Sequence, residues 1–171
     1  MTTPNDVGAQ APMITREFDA PRALVFKAWT EPERLARWWG PKGFSVEVGS
    51  FDLRPGGVFH YSQRAPNGAE LWGKFVYHEV VAPERLVFTS SFADAEGNTV
   101  RNPWSQDWPL EILNVLTLTE QGSRTTLTMS GGPINASPAE LATFEAARSS
   151  VQQGLGGTLD QLDAYLAEAG A

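Results

Sequence analysis

The chain has 171 residues, 42% of them hydrophobic, a formal net charge of −7 and no cysteine. That length and apolar content suit one domain around one sizeable core, and the missing thiols exclude disulfides and thiolate metal sites. The acidic balance, with no basic run to offset it, argues against binding a nucleic-acid backbone. No apolar stretch approaches the roughly 18 residues of a membrane span.

Residues 1–12 lack both the basic start and the apolar middle of a signal peptide and read as a disordered polar tail. A cytoplasmic protein is therefore expected, with residues 13–171 as its one domain. Met13 to Asp19 is a short strand. A helix follows from Pro21 to Trp29, with Asp19 as its cap and the proline in its first turn. Thr30 and Glu33 form a capping-box pattern for a second short helix, which Gly40, Pro41 and Gly43 stop.

From Phe44 the apolar period becomes two, since Phe44, Val46 and Val48 alternate with polar or small residues. Pro55-Gly56-Gly57 breaks the chain before a strand from Val58 to Ala65. Asn67-Gly68 is a hairpin signal, because both residues tolerate positive φ. The chain returns over Glu70 to Val81, turns at Pro83-Glu84, and forms another strand from Arg85 to Ala93. The segment from Ala93 to Pro109 is polar and turn-rich. Leu110 to Glu120 and Arg124 to Ser130 make a last hairpin, and Gly131-Gly132-Pro133 ends the sheet.

The remainder reads as one long helix. Ser137, Pro138 and Glu140 supply its cap, and Leu141, Phe144, Val151, Leu155, Leu159, Leu162 and Leu166 form one apolar stripe. From Pro138 to about Glu168 it would run roughly 45 Å at about 1.5 Å per residue. Gly154, Gly156 and Gly157 lie in its middle, each costing about 1 kcal/mol relative to alanine. They mark either a close approach to neighbouring elements or a soft point. Strands joined by short turns predict an antiparallel meander, whose apolar face only this helix is large enough to cover.

Six Trp, nine Phe and three Tyr imply either a thick core or a lined cavity. A two-residue Asn67-Gly68 turn would pair residues summing to 135. His60 and His78 would then fall on opposite sheet faces, which argues against a shared metal. That register groups Val58, His60 and Ser62 with Gly73, Phe75 and Tyr77. It groups Phe59, Tyr61 and Gln63 with Trp72, Lys74 and Val76. Both groups are aromatic, so the residues leave open which lines a cavity. No catalytic, dinucleotide or phosphate motif is present, and neither a cofactor nor a metal is expected. Arg148, four residues after Phe144, either snorkels to an edge or anchors an anionic ligand group, with Asp107 or Glu111 as internal partners. Trp104 and Trp108, on the polar loop, cap the core, cover a cavity mouth or meet a second copy of the chain.

The run Asp19-Ala20-Pro21-Arg22, Val25-Phe26, Ala28-Trp29-Thr30 and W-W-G-P-K-G-F from Trp38 resembles the AHSA-type family. This is the group named for the activator of heat-shock-protein-90 ATPase, within the SRPBCC or START-like superfamily. Further matches follow in order: D-L-R-P-G-G from Asp52, P-N-G from Pro66, P-E-R-L-V-F from Pro83 and Q-G-L-G-G-T-L-D-Q-L from Gln153. Leu155 stands where the family usually has tryptophan. The resemblance spans about Met13 to Leu166. It implies an α+β helix-grip fold, with a curved antiparallel sheet wrapped around a long C-terminal helix and two short helices after the first strand.

Superfamily members bind lipids, sterols, hormones or polyketides, and some are cyclases. The function expected here is binding of a small hydrophobic or amphipathic ligand between sheet and helix. Trp72, Phe75, Phe88, Trp104 and Trp108 are expected to line the cavity from the sheet side, with Phe144, Arg148 and Leu155 from the helix. His60 and Arg148 are its expected polar handles. The alternatives are a cyclase or hydrolase using the same cavity, with His60 as its proton carrier, and an interaction module that meets a chaperone or a second copy of itself.

Overall fold

A computed structural model describes residues 12–40 and 43–169. The expectations for the first eleven residues, and the part of the helix stop assigned to Pro41, lie outside the described residues. The elements in order are β1 (Ile14–Phe18), α1 (Arg22–Thr30), α2 (Pro32–Trp38), β2 (Ser45–Phe51), β3 (Val58–Arg64) and β4 (Glu70–Val81). They continue as β5 (Arg85–Ala93), β6 (Ile112–Gln121), β7 (Arg124–Pro133), α3 (Pro138–Ala146) and α4 (Arg148–Ala169). All seven strands form one antiparallel sheet, in the order β1-β7-β6-β5-β4-β3-β2. No described helix is long and apolar enough to cross a membrane.

The inner face of the sheet carries Phe18, Phe59, Phe75, Tyr77, Phe88, Leu116, Leu118, Leu127 and Met129. They pack against Trp29 and Trp38 from the two short helices and against Leu159, Leu162 and Leu166 from α4. Trp38 is buried, and its indole N–H donates to the carbonyl of Ala28 at 2.9 Å, which binds α2 to α1. A second, smaller cluster of Val87, Leu113, Val115 and Ile134 lies on the outer face.

Several local readings are corrected. The cap of α1 is Pro21, without a side-chain hydrogen bond from Asp19. The cap of α2 is Glu31, and the Thr30 hydroxyl instead bonds back to the carbonyl of Phe26 at 2.7 Å, so no Thr30–Glu33 box forms. The sheet does not end at Gly131, because Gly131, Gly132 and Pro133 continue β7 against β6. The Ser137–Glu140 capping box is present at the start of α3.

The single long helix is in fact two. Ala147, with φ −97° and ψ 1°, interrupts it, and the buried residues of α3 are Glu140 and Phe144, which leaves Leu141 outside the apolar stripe at 45% exposure. The three glycines sit inside α4 without breaking it. A Cβ at Gly154 or Gly157 would meet nothing within 4 Å, and one at Gly156 only the Arg16 guanidinium at 3.8 Å, so close approach does not explain them.

The β3–β4 register differs by one residue from a two-residue turn. Ala65 donates to Ala69 and Gly68 to Ala65, leaving Pro66-Asn67-Gly68 as a three-residue loop in which Gly68 takes φ 89°. Partners sum to 134, so His60 faces Lys74 and Tyr61 faces Gly73. Since side chains alternate with period two, the shift regroups the hairpin. Phe59, Tyr61, Gly73, Phe75 and Tyr77 face inward. His60, Trp72, Lys74 and Val76 face outward. His78 bonds to the hydroxyl of Thr89, the partner of Val76, at 2.5 Å, so both histidines lie on the outer face rather than on opposite ones.

Candidate ligand cavity

Between the inner sheet face and the C-terminal helices lies a cavity of about 280 Å³. Its floor is built from inward positions of four strands: Tyr61 on β3, Gly73 and Phe75 on β4, Phe88 and Ser90 on β5, and Asn114 on β6. Val151 and Leu155 of α4 and Phe144 of α3 close it from above, and Met13, Trp39 and Trp108 stand at its ends. Gly73 is required for this floor, because a Cβ there would come within 2.7 Å of the Tyr61 hydroxyl oxygen. The sheet can therefore lay the phenol across β4 only where β4 has no side chain.

Among the described residues, no Asp, Glu, Lys, Arg or His lines the cavity. Its polar groups are hydroxyls and amides, chiefly those of Tyr61, Gln63, Ser90 and Asn114. Burial pushes the Tyr61 phenol up to about 12, while the Trp39 indole N–H, turned toward it, acts in the opposite direction. That N–H does not close a full hydrogen bond and remains unpaired. The one titratable side chain in the wall is thus a neutral phenol throughout the ordinary pH range.

Of the residues expected to form the site, Phe75, Phe88, Trp108, Phe144 and Leu155 line the cavity. Trp72 belongs to the wall through its place in β4, but its indole stacks on the His60 ring at 4.7 Å. Three expectations are corrected. His60 is buried on the outer face, where its Nε2 lies 2.9 Å from the carbonyl of Asp94, because the hairpin register turns it away. Trp104 is 74% exposed. Arg148, displaced by the interruption at Ala147, pairs with Glu145 at 2.5 Å and reaches no farther inward than the Met13 sulfur at 3.9 Å. Asp107 and Glu111 therefore serve it as no internal partner.

The rim is fastened by a charged contact. Arg101, in the loop between β5 and β6, pairs with Glu140 of α3 and also donates to the carbonyl of Trp108 at 3.3 Å. Trp108 in turn packs on Phe144 with ring centroids 5.6 Å apart. The Arg101 guanidinium, helped by the Ser137 backbone N–H, holds the Glu140 carboxyl below its ordinary range.

Sequence reasoning passed over Tyr61, Ser90, Asn114 and Trp39. For Asn114 a signal existed, since it shares strand parity with Leu116 and Leu118 and is therefore a polar residue on an apolar face. The register shift parted Tyr61 from Phe75, with which it shares the inner face.

A seven-stranded antiparallel sheet closed over a long C-terminal helix is the helix-grip fold of START-like proteins. The chain belongs to the family described as activator of Hsp90 ATPase homolog 1-like proteins, whose model matches residues 19–167. Protein Ms6760 from Mycobacterium smegmatis is similar, at 31% identity over 88% of this chain and 86% of that one, with a TM-score of 0.70. A protein from Arthrobacter aurescens is 26% identical over 91% and 84% of the two chains, with a TM-score of 0.77. The AHSA1 protein from Silicibacter pomeroyi, at 19% identity over 91% and 96%, shares the fold with a TM-score of 0.68. No curated protein matches. Family membership supports a ligand-binding or co-chaperone-like module in general terms.

Proposed function

We propose that this chain is a binding protein for a small, uncharged, largely apolar molecule held between the sheet and α4. The observation that carries this reading is a cavity of about 280 Å³ walled by aromatic and aliphatic side chains with no ionised group among the described residues. Small-molecule sites run from about 300 to 1,000 Å³ and are mostly apolar with a few placed polar groups. This one is at the small end, with room for roughly nine waters at about 30 Å³ each. An aromatic of one or two rings or a short acyl group fits such a volume better than a sterol. A carboxylate or phosphate would lose its hydration there without gaining a counter-charge. The enzyme alternative has lost its proton carrier from the cavity, since His60 is on the other face of the sheet.

A thermal-shift comparison of methyl octanoate and 2-methylnaphthalene with the octanoate anion tests this. A neutral ligand at about a hundred times its Kd adds about 2.7 kcal/mol, or roughly 5–10 °C for a chain of this size. A saturable shift is expected with at least one neutral compound and none with octanoate. No shift with either neutral class, or a larger one with the anion, would overturn the proposal.

A further inference from the structure

The fold leaves two hydrogen-bonding groups of opposite kind in the cavity wall. On β6, the orientation of the Asn114 amide is fixed by its nitrogen. Nδ2 donates to the carbonyl of Ile112 at 3.0 Å, and lies 3.1 Å from Ser90 Oγ and 3.4 Å from the carbonyl of Phe88. Two of these three partners are carbonyls, which only accept, so the nitrogen must face them and Oδ1 must face away. No described group donates to Oδ1, and Asn114 lines the cavity. Oδ1 is therefore a spare acceptor.

On β3, the Tyr61 hydroxyl lies above Gly73 and donates to no described group. The Trp39 indole stands edge-on beside the Tyr61 ring, with centroids 6.4 Å apart, and an indole N–H offers the phenol no acceptor, so the phenolic proton is left to be donated elsewhere. Burial keeps that proton in place at any ordinary pH. The two groups have a defined spacing. The Tyr61 hydroxyl sits over Gly73, the partner of Phe92, and the Asn114 amide sits against Ser90, the partner of Phe75. Asn114 stands on β6 opposite Phe88 and its amide reaches toward β5, so the two groups are one to two strand spacings, roughly 5–10 Å, apart across the sheet and two to four residues, roughly 7–13 Å, apart along it. A two-ring skeleton bridges such a distance.

We propose that Tyr61 and Asn114 set the specificity of this cavity, selecting an uncharged compound of about two rings that accepts a hydrogen bond from Tyr61 and donates one to Asn114 Oδ1. The inference rests on the cavity-binding reading above. A purely apolar ligand would strip water from both groups and replace it with nothing, so a site built this way rejects the analogue lacking the matching polar atoms.

The test is calorimetric titration of the whole chain with naphthalene, 2-methoxynaphthalene, 2-naphthol, 6-acetyl-2-naphthol and 2-naphthoate. In the wild type, 2-naphthol should bind about tenfold more tightly than 2-methoxynaphthalene, which cannot donate. The acetyl compound should bind tightest, and the naphthoate anion should trail the naphthols. Asn114→Leu should erase the difference between naphthol and its methyl ether, and Tyr61→Phe should erase the gain from the acetyl group. Equal binding of all neutral compounds overturns the assignment while leaving the cavity reading intact. So does a naphthol preference that persists in an Asn114→Leu variant melting like the wild type. Failure of every compound to bind overturns both. Should Asn114→Leu fail to fold, the wild-type ranking decides alone.

Discussion

Alanine at Gly131 should cost at least about 3 kcal/mol of stability, whereas alanine at the adjacent Gly132 should cost nothing. Gly131 has φ 136°, a region that side chains rarely enter, and a Cβ there would lie 1.9 Å from the carbonyl oxygen of Leu113 and 2.9 Å from its carbon. Both obstacles are backbone, in the interior pair β6–β7, so no rotamer change relieves them. Gly131 pairs with Asn114, and the shift forced on β6 would fall on the cavity floor. Strain of this kind costs about 1–3 kcal/mol before the clash is added, a large part of the 5–15 kcal/mol that holds an ordinary domain together. At Gly132 a Cβ meets nothing within 4 Å, and alanine there should be neutral or stabilising by up to about 1 kcal/mol. Urea midpoints of the two variants give the comparison. Equal midpoints would show that β7 does not pass β6 in this geometry.

Truncating Phe88 to alanine should cost about 3–5 kcal/mol. Its ring is 1% exposed, stacks on Phe75 with centroids 4.3 Å apart, and meets Trp29 and Tyr77 at 6.3 and 6.2 Å. It thus joins the short helices to the sheet at the centre of the aromatic cluster. Phe88 also lines the cavity, so its loss adds volume at the ligand end. Any variant that remains folded should therefore shift its preference toward larger neutral ligands. Chemical denaturation checks the first part, and a loss under about 1 kcal/mol would mean the ring is not packed between these neighbours.

The architecture was legible because its signals are redundant. The change from a period near 3.6 to a period of two at Phe44, the turns at 55–57, 67–68 and 83–84, and the Ser137 cap each point to the same meander and covering helix. The site was less legible, for a specific reason. Asn67-Gly68 closes either a two-residue turn or the end of a three-residue loop with glycine at positive φ, and the two differ by one residue in register. With aromatic residues on both faces of β3 and β4, hydrophobicity could not choose between them. The error grouped His60 with Phe75 and parted Tyr61 from it, the reverse of the true arrangement. Arg148 was misplaced because the interruption at Ala147 carries neither proline nor glycine in its own sequence, and the stripe through Phe144 and Val151 looks continuous across it. Phe75, Phe88, Trp108, Phe144 and Leu155 were placed at the cavity regardless, since they belong to whichever surface the sheet and helices bury together.

Fluorescence titration with 6-acetyl-2-(dimethylamino)naphthalene, an uncharged two-ring probe that brightens away from water, addresses the cavity itself. It should be run on the wild type and on Leu155→Trp, which puts a larger ring into the space below α4. Enhancement that saturates at one probe per chain, with at least about tenfold weaker binding in a Leu155→Trp protein that still melts cooperatively, is the expected result. Enhancement that never saturates, or that is the same in both proteins, would mean the probe binds elsewhere and that the space between sheet and helix takes no ligand.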